Sequence, residues 1–380
     1  MNAFESFGVG RVLFGRGAIA KLPDLLPAVG RRAIVIYNGE GLGGRVAALV
    51  ESAGVACVVR RQRGEPTVAD VDAHVAEARE AECDCAIGAG GGSAVDAAKA
   101  VAGLLTNGGA VTDYMEVVGR GQKITRPAAP WVAIPTTAGT GAEATRNAVI
   151  GLPEKRFKAS VRSELLLPRV AVIDPELGVS VPPAVTAASG MDAVCQLIES
   201  YTSTGANPIT DALALRGLAL ATPALSRAYA DGRDLDAREA MALAAYLSGV
   251  TLTSAGLGAV HGFAAPLGAN FPVPHGVVCA ALLPHVVAAN VAAAQAQDME
   301  GLVKRYDDVA RAMNVPDVAA RCAEWARGMS IPALKDFGLT DAHVAEMVAL
   351  ARKASSMKFN PVVLSDETLA TVLERAIRGD

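Results

Sequence analysis

The strongest constraint on how this chain folds is a change of pattern near residue 180. Before it, short β-branched apolar runs alternate with helical repeats; after it, apolar residues recur only at helical spacing. RRAIVIYN, VACVVRR, CDCAIGAG and WVAIPTT read as strands, with GGRVAALVESAG, TVADVDAHVAEAREAE and SAVDAAKAVAGLLTN as helices between them. That alternation predicts βαβ units and a doubly wound parallel sheet. RVLFGRG and VAVIDPEL add strands that could pair at one edge. Beyond the VPP break, Ala/Leu-rich segments from AVTAASGMDAVCQLIESYTS to DETLATVLERAIR read as helices throughout. The expected fold is therefore α/β followed by all-α, with domains 1–181 and 182–380. A chain of 380 residues is long enough for two separate cores.

Charge narrows the partners. The net charge is −4 and the charged residues are interspersed, so no basic stripe suits a nucleic acid. The opening MNAFESFGVGRVLFGRG lacks the basic-then-apolar order of a secretory signal. Met241 to Val260 carries no charge and has the length of a membrane span, but three glycines and several hydroxyls favour a buried helix. Six cysteines, at 57, 83, 85, 195, 279 and 322, sit mostly in apolar runs and read as buried reduced thiols. The expected compartment is the cytoplasm, with no membrane role.

Three sites carry chemical signals. Gly88-Ala-Gly-Gly-Gly-Ser93 ends a strand and opens a helix, the arrangement that cradles phosphate on backbone amides, although a plain chain reversal would use the same glycines. IPTTAGTGAEATRNAVI offers Thr136, Thr137 and Thr140 among small residues, and could equally be a helix start capped by threonine. Asp192 and Gln196 lie one helical turn apart in SGMDAVCQLIES and project from one face. His261 and His275, two of only five histidines, frame a Gly/Pro-rich stretch that should turn the chain back to one place. An aspartate with two imidazoles is a plausible divalent-cation site. His74 and His343 read as exposed on amphipathic helices, and His285 lies in a buried segment.

Taken in order, FGVGRVLFGRGAIAKLP, GGGSAVDAAKA, IPTTAGTGAEATRNAVI, VAVIDPEL, GMDAVCQLIESYTS, HGFAAPLGANFPVPHGVVCAALLPH and KFNPVVLS resemble the iron-containing (group III) alcohol dehydrogenase family almost from end to end. The resemblance implies a dehydroquinate-synthase-like fold, with a dinucleotide-binding first domain, a helical metal and substrate domain, and catalysis in the cleft between them. It implies NAD(P) as hydride carrier and a divalent metal, Fe²⁺ or Zn²⁺. It implies an alcohol and its aldehyde or ketone as substrates, and a homodimer. Carried over by position, Asn38, Gly91, Gly92, Ser93, Asp96, Thr136, Thr137, Thr140, Asn147 and Lys158 would line the cofactor. Asp192, Gln196, His261 and His275 would hold the metal, with His261, His275 and Asn147 at the reacting atoms.

Several positions depart from the family. Gln196 stands where a histidine ligand is usual, and an amide oxygen is a harder, weaker donor than imidazole for Fe²⁺ or Zn²⁺. Ala265 replaces a common active-site histidine, which leaves proton delivery to a relay through the cofactor ribose and water. Glu65 replaces a common asparagine. Asn38 replaces an aspartate that excludes a 2′-phosphate, so NADP(H) stays open, with Arg31, Arg32 and Arg60 nearby in sequence. Phe263, Ala265 and Phe359 are candidates for shaping the substrate pocket. Two other readings share this architecture: a metal-independent maleylacetate-type reductase, and a dehydroquinate-synthase-like lyase.

Overall fold

A computed structural model describes residues 3–380, so the first two residues of the N-terminal segment weighed above lie outside the description. The chain forms two compact units, one of residues 7–180 and one of residues 181–380 with residues 3–6.

The first unit holds strands β1 (Val12–Phe14), β2 (Arg32–Tyr37), β3 (Ala56–Arg61), β4 (Cys85–Gly90), β5 (Trp131–Pro135), β6 (Asn147–Leu152), β7 (Phe157–Arg162) and β8 (Val170–Ile173). Helices α1 (Leu22–Leu25), α2 (Leu42–Ser52), α3 (Val68–Glu80), α4 (Gly92–Asn107) and α5 (Val111–Tyr114) intervene. Six strands form one parallel sheet in the order β1-β8-β5-β4-β2-β3. Successive side chains of a strand face opposite ways. Accordingly Ile34 and Ile36 join one core with Val71, Val75 and Val95, while Ala33 and Val35 join another with Val46 and Val50. A strand buried on both faces reads as a continuous apolar run, which is why RRAIVIYN was legible. The RVLFGRG strand, β1, pairs with β8 at the sheet edge.

The chain leaves β2 for β3 on one side and then returns to β4 on the other. This reversal opens a crevice at the carboxyl ends of β2 and β4, where doubly wound sheets bind ligands. One element departs from expectation. The residues after IPTTAGTG do not start a helix; Ala142–Ala144 make a single 3₁₀ turn, and β6 and β7 then form an antiparallel hairpin.

The second unit is helical among its described residues. It comprises α6 (Pro183–Thr202), α7 (Pro208–Ala230), α8 (Leu235–Ala255), α9 (Ala259–Asn270), α10 (His275–Ala296), α11 (Glu300–Met313), α12 (Val318–Gly328), α13 (Val344–Lys353) and α14 (Asp366–Arg378). Helix α6 is buried along most of its length. The charge-free stretch from Met241 to Val260 is not one helix: it breaks after Ala255, and α8 and α9 meet at 100°. Gly256 makes the break with φ +76°, and Phe359 lies where a side chain would go. Helix α10 is apolar and long enough to cross a membrane, but most of it is buried, as in a core helix.

Candidate active site

The first site lies at the crevice of the parallel sheet. The Asn38 side-chain oxygen accepts the Gly91 N–H at 2.7 Å, bridging the ends of β2 and β4. Gly90 has φ +144° and Asn38 fills the space of its missing Cβ, so only glycine fits. Thr136 N–H donates to the Gly90 carbonyl at 2.9 Å. Thr137 lies 3.5 Å from the Cβ position of Gly91, and Thr140 Oγ1 lies 2.8 Å from that of Gly92. The glycine turn and the threonine segment thus come together at the start of α4, where Gly92 and Ser93 open the helix. One amide expected for the phosphate cradle, that of Gly91, is occupied by Asn38.

Beneath this turn is a residue that the sequence reading passed over. Lys99 is wholly buried, and its Nζ donates to Asp96 Oδ1 at 3.2 Å, Thr145 Oγ1 at 2.7 Å and the Asn147 carbonyl at 2.6 Å. Asp96 Oδ2 also accepts the Val149 N–H at 3.1 Å. Asp96 therefore ties α4 to β6. The Asn147 side-chain oxygen is buried without a hydrogen-bond partner. An orphaned acceptor is costly and fits an amide donor from a bound cofactor. Glu143 is buried nearby; burial pushes its carboxyl up to about 7, with Lys99 only partly offsetting this.

The remaining expected residues of this unit fall differently. Lys158 pairs with Glu65. Arg32 pairs with Glu82 at the opposite end of β2 from Asn38, and Arg60 pairs with Glu77. A six-residue strand separates its ends by about 20 Å, so Arg31 and Arg32 cannot reach a ribose held at Asn38. His74 is buried rather than exposed, within 3.2 Å of the Gln62 amide oxygen.

The second site lies inside the helical unit. Asp192 comes from α6, His261 from α9 and His275 from the first residue of α10. Both imidazoles are thus on helices rather than in a loop, and α9 continues through Pro266. Asp192 Oδ1 lies 3.2 Å from His261 Nε2 and 3.6 Å from His275 Nε2. Gln196 faces a different partner: its amide oxygen accepts the Ser248 hydroxyl at 2.7 Å. Cys279, one turn along α10 from His275, places Sγ 3.6 Å from His275 Nε2 and 3.8 Å from His261 Nε2. Donor atoms of Asp192, His261, His275 and Cys279 all lie within 4.8 Å of one another.

The support for His261 was also missed. Glu199 Oε2 sits 2.6 Å from His261 Nδ1, and Glu199 Oε1 accepts the Val260 N–H at 2.7 Å. The Asn360 side-chain oxygen, from KFNPVVLS, accepts the neighbouring Ala259 N–H at 3.0 Å. Two open amides of the helix start are therefore capped by side chains, one of which, Glu199, also fixes the imidazole. With Nδ1–H donated to Glu199, Nε2 is held toward Asp192 and could ligate a cation once its own proton leaves, the arrangement of metal-ligating histidines. Gly276 lets α10 rest against the Ala188 carbonyl of α6.

The electrostatics favour a positive charge among these donors. Burial would raise Asp192, but His275 and His261 hold it well below the usual carboxylate range. Burial would lower His275, but Cys279 and Asp192 outweigh it and bring its pKa to about 10. Burial would raise the Cys279 thiol, yet Cys195 and the two imidazoles hold it far below its ordinary value. Ionised oxygen and sulfur beside two imidazoles suit a divalent cation, which would take the place of the imidazolium protons. His275 keeps 37% of its side-chain surface, so the cluster is open on that side. Phe263 is buried, Ala265 is exposed, and Phe359 covers Gly256.

Known proteins share both halves. The family described as iron-containing alcohol dehydrogenase matches residues 10–175, and its C-terminal counterpart matches residues 186–377. Alcohol dehydrogenase 4 of Saccharomyces cerevisiae is 35% identical, over 96% of each chain. The NAD-dependent methanol dehydrogenase of Bacillus methanolicus is 32% identical, over 96% of this chain and 97% of that one. The crystal structure of a 1,3-propanediol oxidoreductase superposes with a TM-score of 0.90 at 30% identity, covering 99% and 100%.

Proposed function

This chain belongs to the iron-containing alcohol dehydrogenase family, and we propose that it interconverts a small alcohol and its carbonyl compound by hydride transfer, with Asp192, His261 and His275 holding a divalent cation. The convergence of those three side chains within one helical unit carries the reading. Units 7–180 and 181–380 would then serve as nucleotide and metal/substrate domains. A cation held there would draw electrons from the carbonyl oxygen, as a Lewis acid does.

In our reading Asp192 supplies negative charge, while Glu199 accepts the Nδ1–H of His261 and fixes the ring so that Nε2 faces the cation. With the Gly91 amide taken by Asn38, the glycine turn would seat the pyrophosphate on the amides of Gly92 and Ser93 at the start of α4, with Thr136, Thr137 and Thr140 beside it. Asn147 Oδ1 takes the amide donor that it lacks. Lys158, paired with Glu65, would meet the cofactor only by leaving that partner. Each oxidation moves one hydride to the nicotinamide and releases one proton. Ala265 has no group to carry that proton, which would be left to the cofactor ribose and bound water. Asn38 has no charge to repel a 2′-phosphate, but Arg32 and Arg60 are already paired, so nothing here favours NADPH over NADH. Six free thiols fit a reducing cytoplasm. A homodimer would form along the exposed β1 edge, checked by light scattering.

The test is nicotinamide absorbance across a panel of alcohols and aldehydes, with both cofactors, before and after chelation. We expect turnover with at least one pair, its loss on chelation and its return with Zn²⁺ or Fe²⁺. No change with any pair would overturn the oxidoreductase reading. Undiminished turnover after exhaustive chelation would overturn the metal's part in it.

A further inference from the structure

We propose that Cys279 is the fourth metal ligand, so that the centre is an Asp–His–His–Cys site selective for zinc over harder cations. The inference rests on the metal-binding reading of Asp192, His261 and His275, and deepens it. The family position for the fourth ligand holds Gln196, whose amide oxygen is directed to Ser248. Among the described residues, Cys279 is the His, Cys, Asp or Glu side chain that brings a donor atom into the group formed by the other three.

The spacing supports ligation over simple packing. Zinc bonds of about 2.0–2.1 Å to nitrogen or oxygen and about 2.3 Å to sulfur put tetrahedral donors about 3.3–3.4 Å apart, or about 3.6 Å where one is sulfur. The N···O separations here are 3.2 and 3.6 Å. The S···N separations are 3.6 and 3.8 Å. These four separations are close to those of a tetrahedral zinc site, and all four donor atoms lie within 4.8 Å of one another. Helix geometry explains the pair: residues four apart share a face, so His275 and Cys279 are delivered together once α10 begins at His275. Thiolate is a soft donor that suits Zn²⁺, whereas Mg²⁺ and Mn²⁺ prefer oxygen. Loss of the family's histidine at position 196 is thus offset from a different helix.

The test replaces the native metal with Co²⁺ and reads the ultraviolet thiolate-to-cobalt charge-transfer band, together with Zn²⁺ affinity by chelator competition. Wild-type protein is expected to show the band. Cys279→Ser should abolish it and weaken Zn²⁺ at least about 10-fold, whereas Cys195→Ser and Gln196→Ala should keep it. Cobalt binding without the band in the wild type would overturn Cys279 as a ligand while leaving a metal site intact. A band that survives Cys279→Ser but vanishes in Cys195→Ser would overturn it in favour of the neighbouring thiol. Absence of any cobalt or zinc binding would overturn both this proposal and the metal reading, and turnover in the alcohol panel would then stand alone. The wild-type spectrum keeps the test decisive if Cys279→Ser fails to fold.

Discussion

Replacing Lys99 by methionine keeps its aliphatic stem and removes only the ammonium. Three acceptors then lose their donor, in a place where Lys99 has no solvent exposure. Breaking a buried ion pair by deleting one partner costs about 3–5 kcal/mol. The lower end is expected here, because Asp96 keeps the Val149 N–H and the Thr145 hydroxyl also reaches the Asn147 carbonyl at 3.3 Å. About 3 kcal/mol lowers the melting temperature of a unit this size by about 6–12 °C. Trp131 lies in the sheet of that unit and Trp325 in the helical one, so fluorescence of Trp131 in a Trp325→Phe background follows the relevant transition. The second variant Lys99→Met with Asp96→Asn should regain about half of the loss, since the stranded carboxylate is its main source. Cofactor KM should rise as well, because Asn147 loses its anchor. A melting point within about 1 °C of wild type would refute the role of Lys99, and a double variant worse than the sum of its parts would refute the reasoning.

Two further outcomes follow from the same structure. Glu143 has its folded pKa raised to about 7 from an ordinary 4.5, so its protonated form stabilises the fold below pH 4.5 and that contribution is lost as pH rises through 7. Glu143→Gln should therefore match wild type near pH 4.5 and exceed it by about 3 kcal/mol at pH 8, read from melting curves at both pH values; equal pH slopes would contradict this. His275→Ala should reduce turnover by about 10²-fold or more, with the fold intact by circular dichroism, and near-normal kcat would remove His275 from the reacting centre.

How much of this was legible in the sequence varies by element. The sheet was readable because β2 and β4 are buried on both faces and carry uninterrupted apolar runs. The Asp192–His261–His275 group was readable because histidine is rare here and two of the five frame one Gly/Pro-rich stretch. The β6–β7 hairpin was not, since its turn over Pro153–Lys155 closes on Arg156 at φ +49° instead of the glycine or asparagine that announces such turns. Cys279 looked like another small hydrophobe, and its spacing from His275 has meaning only if the helix starts at that histidine. The prolines at 272 and 274 suggested a loop instead. His74 was misread because an amphipathic pattern does not reveal that Gln62, beyond the end of a neighbouring strand, covers it. Glu199 and Asn360 act on backbone amides at the start of α9, and no local pattern names a partner sixty or a hundred residues away.

Gly276 gives the centre a single point of failure. The carbonyl of Ala188 occupies the volume where any larger residue would put its first carbon. A methyl group there would lever the whole rod carrying His275 and Cys279 outward, separating two donors from Asp192 at one stroke while leaving every ligand side chain in the sequence untouched.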